Sequence, residues 1–218
     1  MKSHRHHFSA PIFPAFLLAL ISALTLSSAT LSAQDKKKDK DTPIPAHAHA
    51  PDPAVTDEYV HKQFGDDCSL LQGPAQFVAD LDGDGVEDLI VAARCKNPVA
   101  NQAEYSYLVD DPYMTFLGFG DTRVTSSFDS ERPERKGVCL LIVEGTGADA
   151  WRAEKPKAKY LMINLPFKTL SVKRLEVKKR HAMGIYMEEA GEGESTSSVI
   201  FWDGKTKYKY MQLGSTME

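Results

Sequence analysis

The chain has 218 residues, of which 42% are hydrophobic and 26% charged, a composition typical of a globular protein with room for one domain. Its formal net charge at pH 7 is −4, and residues 34–218 alone carry 24 basic and 30 acidic side chains, a net charge of −6. That balance argues against a general nucleic-acid-binding protein, because binding to phosphates needs a positive surface.

Residues 1–33 have the pattern of a secretory signal peptide. A basic start precedes an almost wholly apolar run, residues 12–26, and small residues follow. The run of about 15 residues is shorter than the roughly 20 that a bilayer-spanning helix needs, which favours a cleaved signal over an uncleaved anchor. Cleavage fits after either Ala29 or Ala33. We therefore expect a secreted protein, periplasmic or extracellular, with no membrane span once the signal is removed.

Residues 34–54 are charged at first and then rich in proline and alanine, with no apolar period. This composition predicts a disordered linker. His47 and His49 alternate with alanine inside it, but two histidines on a flexible chain are a poor ligand set for a transition metal, so we interpret them as solvated.

Residues 55–218 are predicted to form a single mainly β domain of α+β type with one short N-terminal helix, which Thr56 can cap and Gly65 can end. Short apolar or alternating runs after this helix predict strands over 89–93, 138–143, 160–165, 170–177, 183–187, 198–202 and 205–213. The last two runs flank Asp203-Gly204, which is typical of a two-residue type I′ hairpin turn. We expect a small antiparallel sheet or a sandwich.

An acidic loop, residues 80–88, is the most specific motif of the chain. Aspartates alternate with other residues along it, and a glycine follows the third aspartate. Calcium is bound by six to eight oxygen atoms at about 2.4 Å, and acids at alternating positions can curl around one ion. Without a cation the aspartates would repel one another. The predicted Ca²⁺ ligands are Asp80, Asp82, Asp84, Asp88 and the main-chain carbonyl of Val86; the alternative is a metal-free acidic turn.

The loop does not fit an EF-hand, since the twelfth position counted from Asp80 is Val91 rather than a bidentate glutamate. The segment Asp80–Leu89 instead resembles the calcium loop of FG-GAP and VCBS repeats, the units of integrin-type β-propellers. In those repeats the loop runs directly into a strand, as it would here. The likeness covers about 20 residues, beginning at Gly73, and occurs once. It implies a metal site in a β context, without a complete propeller.

The three cysteines, Cys68, Cys95 and Cys139, would all pass through an oxidising compartment on export. Three is an odd number, so at most one intramolecular disulfide forms. The pair Cys68–Cys95 is favoured, because these residues flank the acidic loop and Cys139 lies in an apolar run typical of a buried strand. Closing a loop of about 28 residues stabilises a fold by roughly 3–4 kcal/mol in the chain-entropy model.

A long insert, residues 96–136, separates the two most apolar predicted strands. A connection of that length is usually functional or mobile. Its aromatic side chains are candidates for binding a sugar or a peptide; the alternative is that they cover the sheet as part of the core. These candidates are Tyr105, Tyr107, Tyr113, Phe116 and Phe119.

No catalytic motif accompanies the acidic loop: the sequence lacks the serine-hydrolase elbow, the zinc-protease helix motif, the paired-cysteine redox motif and the phosphate loop. The predicted function is a secreted, calcium-stabilised β domain that acts as a binding or envelope-associated module for an unknown protein or glycan. Two alternatives stay open, a secreted hydrolase with a glycosidase-like carboxylate pair and a structural partner of another protein. Converging carboxylates in a concave pocket would favour the hydrolase, and an exposed aromatic patch would favour the binding module.

Residues 1–33 should be absent from the exported protein, because the charge–apolar–small order is the pattern that signal peptidase removes. Intact-mass measurement of secreted material should give a chain that starts at Thr30 or Gln34. Secreted material that keeps Met1 or the apolar run would contradict this prediction.

Overall fold

The computed structural model of the chain describes residues 47–122, 133, 135–165, 167–177, 180–189 and 197–214, all within the unit Lys40–Glu218. The predicted signal peptide, most of the predicted linker and part of the insert lie outside these ranges. Within them, no helix is both long enough and apolar enough to span a membrane.

Ten strands, three short α-helices and one 3₁₀ helix, Gly147–Asp149, make up the regular structure of the described residues. The helices are α1 Asp57–Phe64, α2 Gln102–Tyr105 and α3 Pro112–Leu117. The strands are β1 Cys68–Leu70, β2 Phe77–Ala79, β3 Asp88–Cys95, β4 Leu108–Asp110, β5 Val138–Glu144, β6 Ala158–Met162, β7 Phe167–Val177, β8 Arg180–Glu189, β9 Ser197–Trp202 and β10 Tyr208–Leu213. The predicted mainly β class and the N-terminal helix are confirmed.

The first sheet has the order β1-β3-β5-β6-β4, and β2 also pairs with β3. Its two central strands, β3 and β5, are buried on both faces, which explains why their sequences are continuously apolar instead of alternating. One face carries Ile90, Ala92, Leu140 and Ile142, and the other carries Leu89, Val91, Leu141 and Val143.

The second sheet is an antiparallel meander in the order β10-β9-β8-β7. Apolar side chains of its inner face pack against the first sheet, so the two sheets form a sandwich around the larger core cluster. Val172, Ile185 and Ile200 from this sheet lie in that cluster with Leu140 and Ile142.

Helix α1 covers the opposite face of the first sheet. Thr56 caps the helix by accepting a hydrogen bond from the Tyr59 main-chain N–H. Val60 and Phe64 are both 1% exposed and pack into a second core cluster with residues of β3 and β5. The i, i+4 spacing of these two apolar residues therefore marks the face that the helix buries.

The ordered domain begins earlier than the predicted boundary at residue 55. The main chain of His49 exchanges two hydrogen bonds with that of Val78, of 3.0 and 2.7 Å, and Ala48 packs against the larger core cluster. The prediction of a linker through residue 54 is therefore wrong for residues 47–54. The physical reason is the free edge of β2, which gains main-chain partners from a segment whose side chains give no strand signal.

The insert contributes regular structure that the sequence analysis did not predict. It contains α2, β4 and α3, and β4 pairs in parallel with β6 at the end of the first sheet. Helix α3 starts at Pro112, and the Asp111 carboxylate accepts a 2.8 Å hydrogen bond from the Met114 N–H as its N-cap. The described residues therefore contain three short α-helices where the sequence predicted one.

The final hairpin is confirmed, but its predicted two-residue turn is wrong. Trp202 pairs with Tyr208, which leaves a five-residue loop, residues 203–207. The Asp203 carboxylate accepts hydrogen bonds from three successive N–H groups, those of Lys205, Thr206 and Lys207. This side-chain cap stabilises a wider loop than a type I′ turn, which explains the difference.

A disulfide joins Cys68 to Cys95, the pair favoured from the sequence, and Cys139 is a free buried cysteine. The two bonded residues are directly opposite each other on β1 and β3. The bond therefore ties the short edge strand β1, and the helix before it, to the centre of the first sheet.

Gly137, just before β5, should be intolerant of a side chain. Its φ is +71°, and a Cβ placed there would lie 2.5 Å from the Cys95 carbonyl oxygen. Gly120 also has a positive φ, +85°, but among the described residues, its two chain neighbours aside, no heavy atom lies within 4 Å of its Cβ position. Urea unfolding should show a loss of about 1–2 kcal/mol for Gly120→Ala, from backbone strain alone, and a clearly larger loss for Gly137→Ala. Equal losses of unfolding free energy in the two variants would contradict the close approach of a Cβ at position 137 to the Cys95 carbonyl oxygen.

Candidate metal centre

The Asp80 carboxylate is buried at the centre of the acidic loop and accepts hydrogen bonds from the loop's main chain. Asp80 is 1% exposed, and its two carboxylate oxygens accept hydrogen bonds from the main-chain N–H groups of Gly83, Asp84 and Gly85 at 2.8–3.1 Å. These bonds curl residues 80–85 around one carboxylate. Burial raises the Asp80 pKa, and the negative charges of Asp82 and Asp84 add to that effect, while the N–H donors oppose it.

Asp82 and Asp84 form the next layer of the loop. Each accepts a main-chain N–H two residues on, Asp82 from Asp84 at 3.0 Å and Asp84 from Val86 at 2.9 Å. The Lys157 ammonium contacts both carboxylates: it donates to one oxygen of Asp82, and it lies 2.7 Å from one of Asp84. Asp82 is 3% exposed at its side chain and Lys157 44%. A lysine from outside the loop thus supplies part of the positive charge that four aspartates require.

Asp88 fastens the loop to the first sheet. Its carboxylate accepts one hydrogen bond from the Leu81 N–H and another from the Gly145 N–H, both of 2.8 Å. Burial raises the pKa of Asp88 to about 8, although the two N–H donors lower it. The two hydrogen bonds stabilise the ionised carboxylate, whereas burial destabilises it. A nearby cation would offset the free-energy cost of burying the negative charge.

Glu144, at the end of β5, is a further buried acid beside the loop. It is 2% exposed and accepts a 3.2 Å hydrogen bond from the Tyr208 hydroxyl. Burial and the negative charge of Asp82 raise its pKa to about 7. The main-chain carbonyl of Glu144 also accepts the Lys157 N–H at 2.9 Å, which places the lysine over the loop.

Oxygen atoms of Asp80, Asp82 and Asp88 lie within 4.8 Å of one another. Ligand oxygens about 2.4 Å from one ion are at most about 4.8 Å apart, so the three carboxylates fit a single hard cation. Asp84 is not in this group; its carboxylate contacts Lys157, as that of Asp82 does. Val86 contributes an N–H bond to the Asp84 carboxylate. Three of the five predicted ligands are therefore brought together.

A cavity of about 160 Å³ opens beside the loop. Loop residues 80–83 form one wall, and residues 181–183 of β8 with Trp202 of β9 form the other. Trp202 is half-buried, and its ring packs edge-on against Tyr160 and Tyr208. The acidic loop thus borders a small recess with one aromatic wall.

The aromatic residues of the insert do not converge on one binding surface. Tyr107 is 2% exposed, packs on Phe64 and donates a hydrogen bond to the Pro98 carbonyl oxygen, and Tyr105 packs at the edge of the same cluster. The other three candidates lie on or just after α3. The rings of Tyr113 and Phe116 contact Tyr210 of the second sheet, whereas Phe119 is 97% exposed. Four of the five aromatics therefore cover the sheets.

Sequence reasoning missed Lys157 and Glu144 as members of the site. Glu144 does carry a signal, since it is the charged residue that ends the most apolar run of the chain. Lys157 is one of several lysines in a polar stretch, 152–159, and nothing in the sequence distinguishes it. Comparison with known protein families, curated proteins and solved structures finds no match to this chain.

Without metal, the domain should lose stability as pH rises. The folded-state pKa values of Asp88 and Glu144, about 8 and about 7, lie above those of free carboxyl groups. The stability from their protonated forms is therefore complete below about pH 4 and lost as pH rises through 7–8. Tm in EDTA should fall between pH 5 and pH 9.

Glu144→Gln keeps an acceptor for the Tyr208 hydroxyl and removes the titrating group, so it should flatten part of this fall. The exposed Asp149→Asn is the matched control and should leave the slope unchanged. A Tm in EDTA that stays constant or rises from pH 5 to pH 9 would contradict the raised pKa values of Asp88 and Glu144.

Proposed function

We propose that this chain is an exported β-sandwich domain in which the acidic loop binds Ca²⁺, and that it acts as a binding module for a protein or a glycan. The observation that carries the metal assignment is the burial of Asp80 and Asp88, at 1% exposure each, in positions where every carboxylate oxygen accepts an N–H. Buried carboxylates in an acceptor-only arrangement are stabilised by positive charge nearby when they are ionised. Among the described hydrogen bonds, Lys157 is the one ammonium that reaches the loop aspartates, and it contacts Asp82 and Asp84.

The donor chemistry favours calcium over other cations. The clustered ligands are all carboxylates, which suit hard ions and not the softer transition metals that prefer histidine or cysteine. Magnesium demands a tight octahedron and gives up its water reluctantly, whereas calcium accepts irregular oxygen sets. The resemblance of Asp80–Leu89 to FG-GAP and VCBS calcium loops supports the same ion.

Lys157 should limit the calcium affinity. Its ammonium binds the same Asp82 carboxylate that belongs to the three-carboxylate cluster, so an ion and the lysine compete for that group. Extracellular calcium modules commonly have Kd values of about 10⁻⁴ to 10⁻³ M, and a built-in competitor is consistent with affinity in that range.

The binding role is supported by the recess beside the loop. Its volume, about 160 Å³, is below the range of drug-sized pockets and suits one sugar ring or one side chain of a protein. Trp202 offers an aromatic wall and the loop offers polar groups, a combination suited to either ligand. Asp88 and Glu144, whose pKa values are raised to about 8 and about 7, do not line the recess. Of the two acids that do line it, Asp80 accepts three main-chain N–H groups and Asp82 pairs with Lys157, so neither carboxylate supports the hydrolase alternative.

Export is supported by the signal-peptide pattern of residues 1–33 and by the Cys68–Cys95 disulfide. Disulfides persist in oxidising compartments and are rare in the cytosol. Millimolar calcium is available outside the cell, where a loop of this affinity would be loaded.

Calcium should raise the melting temperature of the mature protein. At 1 mM calcium, Kd values of about 10⁻³ to 10⁻⁴ M correspond to about 0.4–1.4 kcal/mol of stabilisation, or a Tm rise of roughly 1–5 °C for a domain of this size. Asp82→Asn should reduce the rise, because an amide oxygen binds calcium more weakly than the clustered carboxylate it replaces, and Asp82 is not central to the loop's hydrogen bonds. Differential scanning calorimetry in EDTA and in calcium measures the Tm rise of the unmodified protein and of the variant. Magnesium in place of calcium should give a much smaller rise.

Asp203→Asn is the matched control, since Asp203 caps a loop through three N–H groups just as Asp80 does, but lies outside the carboxylate cluster. It should keep the calcium-dependent rise, and Lys157→Gln should enlarge it by removing the competing ammonium. Identical melting curves of the unmodified protein in EDTA and in excess calcium would show that the loop is a metal-free turn.

A further inference from the structure

Three cysteine sulfurs lie together at one end of the first sheet. The Cys139 Sγ is 3.2 Å from the Cys95 Sγ, and Cys95 is already bonded to Cys68. The three residues are 0–1% exposed. They come from neighbouring strands in the order β1, β3 and β5, with Cys95 on the middle strand. The free thiol is therefore next to the central sulfur of the disulfide.

We propose that this cluster is an internal thiol–disulfide exchange site, in which the disulfide moves from Cys68–Cys95 to Cys95–Cys139. The Cys139 thiol gives its proton to solvent base, and its sulfur attacks the Cys95 Sγ. The Cys95–Cys139 bond forms as the Cys68–Cys95 bond breaks, and the electron pair of the broken bond leaves on the Cys68 sulfur, which then takes up a proton. One disulfide and one thiol exist before and after, so neither an oxidant nor a reductant is needed.

The register of the strands makes Cys95 the sulfur that is attacked. Cys139 is opposite Ala93 on β3, so Cys95 is its diagonal neighbour, two residues along the same strand. Diagonal side chains on adjacent strands are within reach of each other. A disulfide is about 2.05 Å long, so the two sulfurs have to approach by roughly 1 Å. That shift is small for side chains at the end of a sheet.

The exchange would change what holds the N-terminal part of the domain. β1 has three residues and lies at the edge of the sheet, where β3 is its partner. Helix α1 precedes it, and the Asp57 carboxylate is linked to β1 by a 2.6 Å hydrogen bond from the Leu70 N–H. Moving the disulfide to β3 and β5 removes the covalent tie of β1, so residues 57–70 would be held by non-covalent contacts alone.

The fold restrains the exchange at neutral pH. Burial raises the pKa of the Cys139 thiol to about 12, and the thiol contacts the Ala93 carbonyl oxygen at 3.5 Å. Because the thiolate is the attacking species, exchange is slow in the closed fold and accelerates at alkaline pH or when β5 opens locally.

Peptide mapping without reduction tests this proposal. Mature protein kept at pH 4, then unfolded in acidic guanidinium with a maleimide to alkylate free thiols and digested in acid, should give the Cys68–Cys95 pair with Cys139 alkylated. After hours at pH 9, at least a tenth of the chains should contain the Cys95–Cys139 pair with Cys68 alkylated, at a rate independent of protein concentration. Hydrogen exchange in residues 57–70 should be faster in that fraction. Recovery of Cys68–Cys95 alone after pH 9, or of a Cys68–Cys139 pair, would overturn the proposal.

Two variants complete the test. Cys139→Ser removes the attacking thiol and should keep the Cys68–Cys95 pair at every pH. Cys68→Ser, refolded with glutathione disulfide as the oxidant, should form the Cys95–Cys139 bond and lose both free thiols. Two alkylated thiols in folded Cys68→Ser protein would also overturn the proposal, because the fold would then not admit the second pairing.

Discussion

The burial of two carboxylates, those of Asp80 and Asp88, is the constraint on which the site and its surroundings depend. Asp80 gathers the N–H groups of the loop around itself, and Asp88 joins the loop to Gly145 at the end of β5. Through these bonds the loop is held at the entrance of β3, a strand that pairs with three neighbours in the first sheet. A change in the charge state of these carboxylates therefore reaches the centre of the domain.

Electrostatics decides what the loop can do. Desolvation raises the pKa values of Asp80 and Asp88, and the like charges of Asp82 and Asp84 add to the shift of Asp80. Lys157 neutralises part of this charge from a half-exposed position, where solvent screens its interaction. The loop can hold its shape without metal by keeping protons, and a bound metal ion would require it to give them up, so the affinity for a metal would depend on pH.

Much of the fold could be predicted from the sequence, because the relevant signals are local. The continuous apolar runs identify β3 and β5, and the spacing of Val60 and Phe64 identifies α1. The alternation of aspartates similarly identifies the loop. The pairing of His49 with Val78 and the parallel placement of β4 depend on which sheet edges are free in three dimensions, which no local pattern encodes.

The same limit applies to the site. Lys157 reaches Asp82 across 75 positions of sequence, and Glu144 enters the site because β5 ends beside the loop. The five-residue turn at Asp203 arises from three side-chain hydrogen bonds that outweigh the local preference of Asp-Gly for a tight turn. Residue types thus indicated a candidate metal site, while the ammonium of Lys157 and the buried Glu144 became apparent only from tertiary structure.

A crystal structure of the mature protein grown in calcium, with the metal identified by anomalous scattering, tests the central claim most directly. An ion bound at about 2.4 Å by the carboxylates of Asp80, Asp82 and Asp88 is expected, with the Lys157 ammonium displaced from Asp82. A Lys157 ammonium that still bridges Asp82 and Asp84 at saturating calcium, with no ion in the loop, would contradict it.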